Sequence, residues 1–156
     1  MTRPVLTLRL SRRAIGAAVL SGETLALTDG RHLTSRRDRA SVAAARYVQR
    51  LLDISKAGRV VLDAPQASIG DTDSVVSAVT SALRERQIEA LVIGKSDILT
   101  AYGMRPLRTR VEVRHLINGF WPELARLAGK VQPYIMDAAA AALYAESRLA
   151  LHPPPT

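Results

Sequence analysis

Apolar residues open the chain in short runs. Val5 to Leu10 reads Val-Leu-Thr-Leu-Arg-Leu, Ala14 to Leu20 reads Ala-Ile-Gly-Ala-Ala-Val-Leu, and Thr24 to Thr28 alternates around Leu25 and Leu27. Runs of this length separated by tight turns predict three strands, with Ser21-Gly22 as the hairpin turn between the second and third. Asp29-Gly30 is expected to close the third strand, and Arg31 to Arg39 to form a loop leading into a helix. In that helix Ala44, Val48, Leu51 and Leu52 recur at helical spacing, and Gly58 is expected to stop it. Arg59 to Ala64 reads Arg-Val-Val-Leu-Asp-Ala and runs into Pro65. A continuous apolar stretch of this kind suits a central strand covered on both faces. Asp71 and Thr72 offer N-caps for a helix to Arg86 whose inner stripe is Val75, Val76, Val79 and Leu83. Glu89 to Gly94 reads as the next strand. From Lys95 the pattern is helical, broken at Gly103, Pro106, Gly119 and Pro122, and Pro133 precedes a last helix from Tyr134 to Leu149.

The predicted order is therefore three hairpin strands followed by alternating helix and strand, an α/β chain with a mixed five-stranded sheet flanked by helices. That order is the ribonuclease H-like arrangement. With 156 residues and a hydrophobic fraction of 47%, one domain spanning residues 1–151 is expected, followed by a Pro-rich tail at 152–156. No apolar run approaches the ~20 residues that cross a bilayer. With no secretory signal pattern at the N-terminus, a cytoplasmic location and no membrane partner are expected. The absence of cysteine excludes disulfides and thiolate metal sites. His32, His115 and His152 have no ligand spacing, and His115 is expected on a helix surface without a catalytic role. Phe120 and Trp121 are expected to pack in the core or a dimer contact.

Charge changes the picture. Twenty-two Lys and Arg stand against 14 Asp and Glu, a net charge of +8, and most of the cations are arginines. Arg3, Arg9, Arg12, Arg13, Arg31, Arg36, Arg37, Arg39, Arg46 and Arg50 crowd the first third, and Arg105, Arg108, Arg110 and Arg114 form a second group. Guanidinium forks match phosphate oxygens, and a field of this size favours a polyanion such as nucleic acid. The alternative is a merely solvated basic surface.

Two carboxylates stand out against this background: Asp63 near the exit of the apolar strand and Asp137 at the start of an Ala-rich helix, both placed to meet next to the first strand. In order along the chain, Leu8-Arg9-Leu10-Ser11-Arg12-Arg13-Ala14-Ile15-Gly16, Val60-Val61-Leu62-Asp63, Arg110-Val111-Glu112-Val113-Arg114-His115-Leu116-Ile117 and Asp137-Ala138-Ala139-Ala140-Ala141-Ala142-Leu143 resemble the motifs of RuvC-type Holliday-junction resolvases. The resemblance implies a metal-dependent nuclease scaffold in which two Mg²⁺ ions, ~3.5–4 Å apart, would activate water and stabilise the leaving oxygen. It implies acids from strand one, from the fourth strand, and from two helix positions three residues apart, since a hard cation needs converging oxygen ligands. Asp63 and Asp137 match two of those positions. Arg9 stands where the strand-one acid belongs, and Ala140 stands where the second helix acid belongs.

A permanently protonated guanidinium opposes a divalent ion, so no metal and no cofactor are expected. Arg9 is expected to lie between the remnant acids Asp63 and Asp137 and to pair with both. The plainer alternatives are a one-residue register shift that turns Arg9 to solvent, an Asp63 that caps a turn at Pro65, and an Asp137 that complements the helix dipole. Arg12, Arg13, Arg105, Arg108, Arg110 and Arg114 are the candidate nucleic-acid contacts. The expected function is structure-selective binding to branched or duplex DNA without cleavage, by a homodimer as the resemblance implies. Two rivals remain open. One is an active junction endonuclease using Mg²⁺ or Mn²⁺ on Asp63, Asp137 and a further acid such as Asp71 or Asp73. The other is a non-catalytic protein- or RNA-binding assembly subunit on the same scaffold.

Overall fold

The structure is a computed structural model. It describes residues 3–22, 24–33, 37–64, 71–101, 109–127 and 129–151, and the side chains of all of these except 37, 38, 71–73 and 147–151. Five strands, β1 (Val5–Leu10), β2 (Ala14–Ser21), β3 (Thr24–His32), β4 (Arg59–Asp63) and β5 (Ala90–Ile93), form one sheet in the order β3-β2-β1-β4-β5. β1 pairs antiparallel with β2 and parallel with β4, β2 pairs antiparallel with β3, and β4 pairs parallel with β5. This is the mixed five-stranded sheet the hydrophobic pattern predicts. Helices α1 (Arg37–Ser55), α2 (Asp71–Glu85), α3 (Lys95–Ala101), α4 (Arg110–Phe120) and α5 (Gln132–Leu151) complete it, with a 3₁₀ turn at Pro122–Arg126.

The sheet is covered on both faces by two apolar clusters, and strand alternation decides which residue goes to which. Leu6, Leu8 and Leu10 of β1 and Val60 and Leu62 of β4 pack with Ala44, Val48, Leu51 and Leu52 of α1 and Val75, Val79 and Leu83 of α2. Each such fully buried leucine contributes about 1.5–3 kcal/mol. The odd-numbered residues of β1 and β4 face the other way, towards α4 and α5, where Val61 joins Val113, Ile117 and the buried alanines of α5. Thr7 is among these, fully buried. Its hydroxyl donates to the Ala138 carbonyl at 2.6 Å, tying α5 to the sheet and satisfying a polar group that would otherwise be costly to bury. Period-two alternation thus places Arg9 and Asp63 on the α5 face of the sheet.

α5 lies close to the sheet because the sequence removes side chains at the contact. Ala138 to Ala142 are all buried, and Ala is the best helix former. Across from them, Gly16 of β2 leaves no room for a Cβ, which would overlap the Tyr134 carbonyl oxygen. Gly30 of β3 is crowded in the same way, since a Cβ there would stand 2.9 Å from the Val131 side chain.

This corrects the expectation that Asp29-Gly30 ends the third strand. Gly30 pairs with Gly16 inside a strand that runs on to His32, and its missing side chain serves a helix contact rather than a turn. Gly58 is likewise not what ends α1. Lys56 takes the left-handed conformation at φ 55°, with its N–H on the Leu52 carbonyl at 3.0 Å, while Gly58 makes room for Arg3. Pro133 falls inside α5 rather than before it, in the first turn where a missing N–H costs nothing. Phe120 is 61% exposed, so it is not a core residue. Trp121 packs partly buried against the α4–α5 cluster. Among the described residues no helix is long and apolar enough to cross a membrane.

Candidate functional site

The carboxyl ends of β1 and β4 and the first two turns of α4 and α5 meet at one place. Arg9 stands opposite Gly16 on one side and beside Asp63 on the other, so the register is the one that brings these two side chains together and the shifted alternative does not hold. Asp63 is the last residue of β4 and is fully buried. Asp137 sits in the second turn of α5, with its side chain 1% exposed. Neither acid is at the surface, and neither owes its position to the helix dipole or a turn alone.

Each carboxylate is held by a guanidinium fork. Arg110 Nη1 and Nη2 donate to Asp63 Oδ2 and Oδ1 at 2.8 and 2.9 Å. Arg114 Nε and Nη2 donate to Asp137 Oδ1 and Oδ2, both at 2.9 Å. Parallel N–H···O pairs of this kind are the strongest form of the arginine–carboxylate contact. Arg110 and Arg114 are four residues apart on α4, hence on one helix face. Thr109 starts that helix by accepting the Glu112 N–H with its side chain, which fixes where the first of the two arginines emerges.

Arg9 does less than its position suggests. Its Nε reaches Asp137 Oδ2 at 3.4 Å, and its Nη1 donates to its neighbour's carbonyl, that of Leu10, at 2.6 Å. No hydrogen bond joins it to Asp63 among the described contacts. The expectation that Arg9 bridges both acids is therefore corrected. The bridge is Arg110, which forks Asp63 and also lies 3.7 Å from Asp137 Oδ2. Arg110 approaches from α4 and presents its planar fork to Asp63, whereas Arg9, rising from the strand beside Asp63, turns to the Leu10 carbonyl. Burial alone would lower the basicity of Arg110. The hydrogen bonds to Asp63 and the charges of Asp63 and Asp137 outweigh it, and hold the group above the usual arginine range.

The arrangement does not fit a pair of divalent ions. Such a centre needs several carboxylate oxygens free to coordinate, and here each acid's oxygens accept guanidinium donors. Ala140, three residues beyond Asp137, is fully buried in the apolar cluster and offers no ligand atom. Among the described residues no group of three or more His, Asp or Glu is placed to hold a metal.

Of the other candidate residues, Arg12 and Arg13 lie exposed in the β1–β2 turn, which Ser11 organises by accepting the N–H groups of Arg13 and Ala14. Arg105 and Arg108 lie outside the described residues, as do the side chains of Asp71 and Asp73, His152 and the 152–156 tail. His115 is exposed on α4. Sequence reasoning placed Arg110 and Arg114 among the nucleic-acid contacts and missed that they hold the acids. Their spacing of four residues, matching two acids, was the available signal.

Strand order and helix placement are those of a ribonuclease H-like fold. No protein-family model and no curated protein matches the chain, but solved structures do. RuvC from Thermus thermophilus in complex with a Holliday junction substrate is 15% identical with a TM-score of 0.73, over 91% of this chain and 92% of that one. A second Thermus thermophilus RuvC structure is 16% identical with a TM-score of 0.69, over 94% and 96% respectively. The yeast mitochondrial Holliday junction resolvase Ydc2 is 13% identical with a TM-score of 0.61, over 97% and 82%. At these identities the likeness is one of fold, and it agrees with the resemblance read from the sequence.

Proposed function

We propose that this protein binds branched DNA by shape and does not cleave it. The observation that carries this reading is the pair of guanidinium forks, Arg110 on Asp63 and Arg114 on Asp137, which occupy the oxygens a hydrolytic metal centre would use. Three further facts support the DNA partner. Two of the similar structures are named as resolvases of Holliday junctions or are bound to one, the chain carries a net charge of +8, and Arg12 and Arg13 stand exposed in the turn that follows the strand carrying Arg9. Arginine contacts to phosphate position a protein on nucleic acid without reading sequence, so selectivity comes from the shape of the partner. A four-way junction has two equivalent halves, and a two-fold homodimer is the assembly that matches it.

The test is fluorescence anisotropy with a labelled four-way junction and a linear duplex of equal length, at several salt concentrations. Affinity should fall steeply with salt and favour the junction. Arg12→Ala with Arg13→Ala should weaken both and flatten the salt slope by about two contacts' worth. Equal, salt-insensitive affinity for either DNA would overturn the proposal and favour a protein partner for the same scaffold.

A further inference from the structure

The charge cluster is unbalanced in number and in exposure. Three guanidiniums approach a single oxygen, Asp137 Oδ2: Arg114 Nη2 at 2.9 Å, Arg9 Nε at 3.4 Å and Arg110 Nη1 at 3.7 Å. Two carboxylates answer these three cations, so the five side chains together carry one excess positive charge. The acids are hidden, with side chains 0% and 1% exposed, while those of Arg9, Arg110 and Arg114 are 16%, 14% and 26% exposed. A solute arriving at the cluster therefore meets guanidinium edges and no carboxylate. Among the described residues the three guanidiniums donate six hydrogen bonds, two from each, and a guanidinium carries more N–H donors than two.

We infer that the cluster is a binding site for one phosphate group, and that its occupant is a backbone phosphodiester of the bound DNA. The polarity of the cleft is thus inverted: a place that suits cations when its acids are free takes an oxyanion once the acids are covered. The excess charge resides on Arg9. Its single acid contact, at 3.4 Å, is longer than any bond in the two forks, and it shares Asp137 with a complete fork from Arg114. Arg110 and Arg114 serve as the fixed floor, each tied to its acid by two short bonds, and Arg9 is the cation left to pair with the incoming anion. Planar guanidinium groups suit the tetrahedral oxyanion through parallel N–H···O contacts, and partial burial keeps salt from screening the pair as fully as on an open surface. This inference rests on the DNA-binding proposal for its occupant, although the anion site stands on the geometry of the cluster.

The experiment follows the arginine Nε–H resonances of the isotope-labelled full chain by NMR. The probes are inorganic phosphate, the dinucleotide TpT and the four-way junction, with sodium chloride at matched ionic strength as control. The Arg9 and Arg114 signals should shift saturably with phosphate and with TpT and stay put with chloride. Arg9→Met should lower the affinity for both probes at least tenfold, with an unchanged amide spectrum elsewhere, and Arg9→Lys should restore part of it. Equal phosphate affinity in wild type and Arg9→Met would overturn the site, as would shifts confined to Arg12 and Arg13. A response to phosphate but not to TpT would overturn the backbone phosphodiester as occupant. The two proposals fail separately. Junction binding with unmoved Arg9 and Arg114 signals removes the phosphate site and leaves the DNA reading standing, whereas phosphate shifts without any junction binding remove the DNA reading and leave the site.

Discussion

Replacing Arg110 with Met keeps most of the side chain's length and apolar stem while removing the fork on Asp63. Asp63 is fully buried, so its carboxylate would lose both short hydrogen bonds and gain no water. Breaking a buried pair by removing one partner costs about 3–5 kcal/mol. Arg9 stands beside Asp63 in register and could swing towards it, which favours the lower end of that range. For a chain of this length each kcal/mol moves the melting temperature by roughly 2–4 °C, so a fall of about 6–20 °C is expected. Asp63→Asn in the same background removes the stranded charge, and a double-mutant cycle should return a coupling of about 1.5–3 kcal/mol. The assay is urea and thermal unfolding of wild type, both single variants and the double variant at neutral pH. By comparison Arg9→Ala, with one long acid contact and one carbonyl contact, should cost about 1.5 kcal/mol. A penalty for Arg110→Met below that of Arg9→Ala, or strict additivity with Asp63→Asn, would refute the reasoning.

Two further outcomes test the packing on the two faces of the sheet. Gly16→Ala forces a Cβ onto the Tyr134 carbonyl at the start of α5, backbone that has no rotamer to give; it should destabilise by about 3 kcal/mol, and denaturant unfolding that shows less than 1 kcal/mol would mean α5 sits further from the sheet. Tyr47, buried and donating to Asp29 at 2.7 Å, has its phenol pushed well above the ordinary tyrosine value, by burial first and by the bond to Asp29 second. The stability this contributes is complete below about pH 10, where the unfolded phenol also keeps its proton, and is lost as pH rises beyond it. Tyrosinate absorbance should therefore show one of the four tyrosines ionising together with alkaline unfolding, a step absent from Tyr47→Phe; four phenols titrating together in the intact fold would contradict it.

The fold was legible because its strands obey simple periods. Leu6, Leu8 and Leu10 alternate with Thr7 and Arg9, and the continuous run Val60 to Leu62 marks the strand buried on both faces. The same alternation placed Arg9 and Asp63 on one face. What could not be read was which arginine would hold which acid. That depends on the exit angle of α4, set by the Thr109 cap, and on side-chain reach across space, neither of which leaves a mark in periodicity. Gly30 misled for a related reason. A glycine reads as a turn by default, and its actual role, clearance for Val131 just before α5 and Ile135 within it, a hundred residues away, exists only in the packed structure. The role of Thr7 is equally silent in the sequence, because its partner, the Ala138 carbonyl, is backbone and has no sequence signature.

The most direct test places a labelled four-way junction and the matching linear duplex with the protein in Mg²⁺, Mn²⁺ or EDTA, and resolves binding on a native gel and strand cleavage on a denaturing one. A shift that prefers the junction, persists in EDTA and leaves every strand intact in both metals is the expected result. Paired metal-dependent nicks near the crossover would contradict the account, and would mean that the Arg110 and Arg114 forks open to release Asp63 and Asp137 to a metal.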